Sequence, residues 1–289
     1  MKNIFAAICL LIGITSSLGA QNFSYGFRTG LNFNQFNTES EVGPNGEELE
    51  ELTGNTGFHI GASFSFGFTD LVGLRTELLY SQRGGRRKYD GPGYLTYFDG
   101  DDRVFIEGGN REETINVTNS YVDIPVMVYF RPDGFPVEVF GGAYVGATIN
   151  SVGSGRLFYT GDSGDPTEII LDLNYFRDKP EDTDLEESVE LVSNGIAYAV
   201  PVGVGAYYDR RERDGTRYNT FDFGLTGGLS IFLGRSLFIS GRVQYGLNDV
   251  TRDRYDVSRQ AFDRANDEFI PLDRRDRNFT IQTSVGFGF

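Results

Sequence analysis

Eight stretches of this chain alternate apolar and polar residues with period two, and the connections between them alternate short and long. Together these two regularities limit the fold more than any composition figure. Alternation with period two gives a β-strand one apolar face and one polar face. The stretches are Phe23 to Phe33, Phe58 to Phe68, Val72 to Arg83, Tyr121 to Phe130, Val137 to Ile149, Phe221 to Leu233, Leu237 to Leu247 and Phe279 to Phe289. The second shows the pattern plainly: Phe58, Ile60, Ala62, Phe64, Phe66 and Phe68 against His59, Gly61, Ser63, Ser65 and Gly67. Thr69-Asp70-Leu71, the turn Arg131 to Pro136, and Gly234-Arg235-Ser236 are the short links. The long connections run about 35–57, 84–120, 151–220 and 248–278.

The fourth stretch, YVDIPVMVYF, shows which environment each face meets. Val122, Ile124, Val126, Val128 and Phe130 share the apolar face, while Asp123 and Pro125 fall on the other. A soluble core strand has no use for a charge, and a central strand rarely holds a proline, which has no N–H to give the ladder. In a transmembrane barrel the apolar face meets lipid and the polar face lines the lumen. Asp123 is then expected to pair with Arg28, Arg75 or Arg242, and Pro125 to cause a bulge or irregular pairing.

The expected fold is therefore all-β: a closed, antiparallel, up-and-down transmembrane β-barrel of eight strands, with long loops outside and short turns in the periplasm. Strands of about ten residues suit a tilted crossing of the hydrocarbon layer, and closure leaves no backbone group unpaired in lipid. Ten strands is the alternative, because Glu168 to Phe176 and Gly195 to Tyr208 are also strand-like; the other reading is a hairpin extending the barrel beyond the membrane. A soluble ligand carrier of the lipocalin kind would turn the bulky Phe face inward, and it gives no reason for all the long loops to lie at one end.

The first 20 residues read as a secretory signal peptide: Lys2, the apolar run Ile4 to Ile14, then small and polar residues, with a cut after Ala20 or Gly19. Cys9 leaves with it, so an exported chain remains that has no disulfides. Residues 21–289 form a single barrel domain. Mean hydropathy is −0.30. Net charge is −15, with 41 acidic against 26 basic residues, which argues against nucleic acid as a partner. Much of the acid sits in the long connections, as in Glu39, Glu41, Glu47, Glu48, Glu50 and Glu51.

Several residues are candidates for a site. Arg28, Arg75, Glu77, Asp123, Glu138, Asp222 and Arg242 fall on polar faces and form an expected lumen charge network, read as a salt-bridge plug because eight strands enclose only enough room for side chains. His59, the single histidine, has Ser63 about 13 Å along its own strand, beyond hydrogen-bond reach, so catalysis is not expected. Asp99 to Asp102 and Gly161 to Asp165 are oxygen-rich but lack the spacing of an EF-hand, and no cofactor or metal is expected. Arg83, Arg86, Arg87 and Lys88 form a basic cluster just past the third strand; it either contacts lipopolysaccharide phosphates or keeps the strand end in water.

Read as a whole, the chain resembles the PorT-like outer-membrane β-barrel proteins of Bacteroidetes-type bacteria. The resemblance is carried by YVDIPVMVYF, VEVFGGAYVGA, FDFGLTGGLSIFL, GRVQYGLNDV and the closing RNFTIQTSVGFGF, in that order. It implies an integral outer-membrane protein, and it makes Val285, Phe287 and Phe289 similar to the terminal signal read by the barrel-assembly machinery. Outer-membrane lipid, lipopolysaccharide and a protein partner in a secretion or surface-assembly complex are the partners implied. The expected function is a non-catalytic structural or partner-binding barrel, with a small-solute or ion channel as the alternative.

Overall fold

The computed structural model describes residues 23–162, 164–180 and 187–289. The expected leader lies outside them. The strands are β1 (Phe23–Asn37), β2 (Glu50–Thr53), β3 (Asn55–Gly67), β4 (Val72–Asp99), β5 (Asp102–Phe130), β6 (Val137–Thr160), β7 (Pro166–Asn174), β8 (Ser188–Ser193), β9 (Ile196–Pro201), β10 (Gly203–Val204), β11 (Phe221–Phe232), β12 (Leu237–Gly246), β13 (Val257–Asp263), β14 (Glu268–Pro271) and β15 (Arg277–Gly288). Eight of these close a ring in which every contact is antiparallel. β1 pairs with β3, β3 with β4, β4 with β5, β5 with β6, β6 with β11, β11 with β12, β12 with β15, and β15 returns to β1. Neighbours in the ring are neighbours in order along the chain, so this is an up-and-down barrel with no free edge at the level of the ring.

The two further strand-like segments do not enter the ring. The first half of β6, Val137 to Ala147, pairs with β11, and its second half, Val152 to Thr160, pairs with β7. β7 therefore starts only where β11 has ended, and β10 lies parallel against it. β9 pairs with β8 in a separate hairpin. The count is eight, with the extra strands stacked above the ring.

One of the expected loops is instead continuous sheet. β4 runs 28 residues and β5 runs 29, so the 84–120 connection is a ladder that climbs out of the ring and turns at Gly100. The faces exchange roles along this climb. Within the ring, Leu78, Val126, Val128, Val139, Leu225 and Ile239 face outward and are exposed, while Arg28, Asn32, Glu77, Asp123 and Glu138 face inward and are buried. Above it, Leu95, Ile106, Ile115, Leu157, Ile169 and Leu171 face inward and form a buried apolar core, and charged residues face out. The lower part thus suits lipid, and the upper part is a water-soluble β-structure with a core of its own. Among the described residues no helix is long and apolar enough to cross a membrane.

The irregularity expected at Pro125 takes another form. The β5–β6 register is unbroken there, with Pro125 opposite Tyr144. On the β4 side the paired residues pass from Thr76↔Val126 to Leu79↔Asp123 in one register, leaving a gap in the ladder opposite the missing N–H. The bulge lies higher. Ile149 is an extra residue on β6 between Thr148 and Asn150, opposite Ser120/Tyr121, and it shifts the inward set of β6 from even to odd positions.

Candidate functional site

The lumen is filled by guanidinium–carboxylate layers stacked along the inward side of β4. Nearest the short turns, Arg75 holds Glu138 through two parallel bonds of 2.6 and 2.9 Å, and Arg131 adds a third at 3.0 Å. The Tyr129 ring lies under both guanidiniums, 5.2 and 5.9 Å from its centroid. In the middle, Glu77 bridges Arg28 at 2.8 Å and Arg242 at 2.6 Å. Arg28 also donates to Ser240 at 2.8 Å and Ser284 at 2.6 Å, and Arg242 donates to Gln282. Nearest the long loops, Arg83 joins Asp123 and Asp222 and lies between the rings of Tyr121 and Tyr144, 4.8 and 4.7 Å away. Asn278 and Tyr144 donate to the same Asp222 oxygen, at 2.9 and 3.2 Å.

All seven residues of the expected lumen network lie inside the ring, but Asp123 has a different partner from those expected. It pairs with Arg83, a member of the basic cluster expected at the outer rim. Period-two alternation does not stop at the membrane edge, so Arg83 and Arg87 turn inward while Arg86 and Lys88 turn outward. Arg83 is fully buried, Arg87 binds Glu50 at 3.3 Å and Asp276 at 2.5 Å, and Lys88 lies 3.8 Å from Glu112. The four do not form one exposed cluster. Asp123 and Asp222 reach the same guanidinium because both are paired with Gly146 across the sheet, from opposite sides. A Cβ at Gly146 would collide with the Asp123 carboxylate.

Glycine has the same use at His59. Gly30 pairs with His59 on one side and Ser284 on the other, so the two side chains meet over it. His59 Nε2 is 2.8 Å from Ser284 Oγ, and Nδ1 is 2.7 Å from Asn32 Oδ1. Along its own strand His59 has Ser63 on the same face; its partners come from two other strands, and only the register reveals them. The three groups have the shape of a Ser–His–Asn relay. All are buried, and Arg28 shares the Ser284 oxygen.

Above the ring, a second charged cluster ties the outer segments together. Arg274 binds Asp256 at 2.9 Å and also Glu50, and Arg87 links Glu50 to Asp276. Burial pushes the Glu50 carboxyl up, but Arg87 and Arg274 outweigh this and hold it below the usual carboxylate range. Asp276 is held down in the same way, chiefly by Arg87. Asp249, with no such cation, is pushed up to about 6 by burial. Glu41 accepts from the Ser258 hydroxyl at 2.6 Å and from the Arg259 N–H at 3.1 Å, so the acid-rich first connection is docked by two buried carboxylates, while Glu39, Glu47, Glu48 and Glu51 stay exposed. An enclosed cavity of about 30 Å³ lies among Glu50, Arg87, Glu113, Arg217 and Arg274, with room for one water. Among the described residues, no group of three or more His, Cys, Asp or Glu side chains is arranged to hold a metal.

The carboxy-terminal strand closes the ring. Phe289 N donates to Tyr25 O at 2.7 Å, and Val285, Phe287 and Phe289 face outward, exposed.

A search of the curated proteins found no match. Among solved structures, Ail, the attachment invasion locus protein of Yersinia pestis in complex with the heparin analogue sucrose octasulfate, is 11% identical, covering 93% of this chain and 100% of its own, with a TM-score of 0.34. The outer membrane protein W of Escherichia coli is 15% identical at a TM-score of 0.34, over 93% and 100%. The outer membrane protease OmpT of Escherichia coli is 7% identical at 0.28, over 94% and 98%. Likenesses this weak carry no weight for mechanism. The family model for the outer membrane protein beta-barrel domain, in contrast, matches residues 19–252. The chain belongs to the outer membrane protein β-barrel domain family.

Proposed function

We propose that this protein is a closed, non-catalytic barrel of the bacterial outer membrane that holds a rigid extracellular head for a protein partner. The lumen carries this reading. Three layers of paired guanidiniums and carboxylates, packed with Tyr121, Tyr129 and Tyr144, occupy the width that an eight-strand barrel offers. Buried charges that are paired and hydrogen-bonded hold a structure in place, whereas a conducting path would require all three layers to part. The Ser284–His59–Asn32 relay then acts as a clamp across β1, β3 and β15, since its hydroxyl is buried under Arg28. The head has an apolar core and is joined to the barrel by unbroken strands.

Export by the leader Met1 to Ala20, and delivery to the barrel-assembly machinery through Val285, Phe287 and Phe289, complete the reading. The PorT-like resemblance favours a partner in secretion or surface-protein assembly. The test joins two measurements. Gentle-detergent extraction from native outer membranes is expected to recover a protein partner near one-to-one, and planar-bilayer recordings of the purified barrel are expected to show no stable steps. Porin-sized conductance would overturn the sealed lumen, and a barrel recovered alone would overturn the partner.

A further inference from the structure

We infer that the lipid-facing wall of β1, β12 and β15 holds one phosphorylated glycolipid of the outer leaflet, with an acyl chain in a groove of the wall and a phosphate on Arg277. The groove, of about 720 Å³, is lined by Thr29, Leu31, Ile239, Gly241, Thr283 and Val285, with Phe58 and Leu229 as walls. Small residues meet there: Gly241 is paired with Thr283, and a Cβ on Gly241 would find nothing within 4 Å.

The same β1–β15 ladder leads from the groove to the outer rim. Leu31↔Thr283 is followed by Phe33↔Ile281, Gln35↔Phe279 and Asn37↔Arg277. The six residue steps from Leu31 to Asn37 span roughly 20 Å of strand. At a tilt of about 40° this is roughly 15 Å of depth, the thickness of one leaflet. A lipid with its headgroup at Arg277 therefore brings the end of its chain to the groove.

The rim has the chemistry for a phosphate. The lumen arginines of the ring all have carboxylate partners, but among the described residues Arg277 makes no ion pair; it lies 3.4 Å from the Tyr245 hydroxyl, to which Asn37 donates at 3.1 Å. Arg275, two residues earlier, is exposed and likewise makes no ion pair among the described residues. Glu39 lies opposite Arg275 if the register is extended, and it too makes no ion pair among the described residues. Two guanidiniums above an aromatic boundary of Tyr245 and Phe279 suit a phosphate monoester, which guanidinium forks bind well. The amides of Gln35 and Asn37 and the Tyr245 hydroxyl supply bonds for sugar hydroxyls. A second copy of this chain is a poorer occupant. A two-fold contact would set Arg275 and Arg277 against themselves, on chains that each carry −15.

The experiment is native mass spectrometry of the mature chain refolded in detergent, with diphosphoryl lipid A, dephosphorylated lipid A and phosphatidylethanolamine as probes. One diphosphoryl lipid A is expected to stay bound at collision energies that remove the other two. Joint substitution R275Q/R277Q should weaken its retention by about 10-fold, as loss of charge-assisted bonds does. Gly241→Leu, for which the wall has room, should weaken retention by filling the groove while keeping the heat-induced gel shift of a folded barrel. Equal retention of the three lipids, or unchanged binding by R275Q/R277Q, would overturn the assignment. So would a dimer that Gly241→Leu dissolves, since the groove would then belong to a second copy.

Discussion

Replacing Arg83 by methionine tests the sealed lumen directly. Arg83 is fully buried, and its guanidinium is the only cation in ion-pair contact with both Asp123 and Asp222 among the described residues. Removing one partner of a buried pair costs about 3–5 kcal/mol, because the charge left behind is uncompensated. Two carboxylates are left here, and the contacts with Tyr121 and Tyr144 at 4.8 and 4.7 Å are lost as well. Relaxation of Asn278 and Gln244 toward the site recovers part of this, so a net loss of about 4 kcal/mol is expected. With a guanidinium m-value of about 4 kcal/mol per molar, the unfolding midpoint should fall by about 1 M. The triple variant R83M/D123N/D222N removes the charges together, and neutral replacement of a whole buried cluster is often harmless, so most of the midpoint should return. The assay is denaturant unfolding of the barrel in detergent, followed by gel mobility and far-UV circular dichroism. A single variant within about 0.2 M of the parent would refute the reasoning, as would a triple variant no better than the single.

Four further outcomes are expected. Between pH 7.5 and 5 the head should grow more stable, because the raised folded-state pKa of Asp249, about 6, means that the folded chain takes up a proton there and the gain is lost as pH rises through that value; Asp249→Asn should flatten this slope, and a slope of opposite sign in thermal melts would count against it. Below about pH 4.5 the trend should reverse, since the depressed carboxyls of Glu50 and Asp276 lose their stabilising charge as pH falls through their folded values. Glu41→Ala should cost about 2 kcal/mol locally, from the loss of charged bonds to Ser258 and Arg259, and should speed hydrogen exchange at residues 39–49 and 257–261 without affecting β12 or β15. A fluorophosphonate probe should leave Ser284 unlabelled in the folded barrel despite its contact with His59; labelling of Ser284 that His59→Ala abolishes would make the relay catalytic.

Much of the barrel was legible in sequence because lipid imposes a simple rule on every second residue. Phe27, Leu31, Val126, Val139 and Ile281 follow it without exception, and the short turns fixed which strands are neighbours. The rule lapses above the membrane. From Arg83 onward the apolar residues Ile115, Val117, Leu95 and Tyr97 change sides, so β4 and β5 read as a polar loop although their alternation continues. The basic cluster misleads for the same reason: four cations close in sequence look like one patch until Arg83 and Arg87 turn inward. Pairings within the lumen were beyond reach. Which carboxylate meets which guanidinium depends on register and barrel curvature, and a sequence holds these only as small residues such as Gly30 and Gly146, whose value appears once the neighbours on both sides are known.

The unbroken passage of β4 and β5 from membrane to tip also has a mechanical consequence. With no linker at the surface, there is no compliant joint between anchor and head. A load drawn along the hairpin axis is borne in shear, by the ladders joining β4 to β3 and β5 to β6 over the height of the barrel, and many hydrogen bonds must yield together rather than one after another. The head is thus a strut fixed in its socket: it transmits force and torque from whatever grips its tip straight to the wall of the barrel.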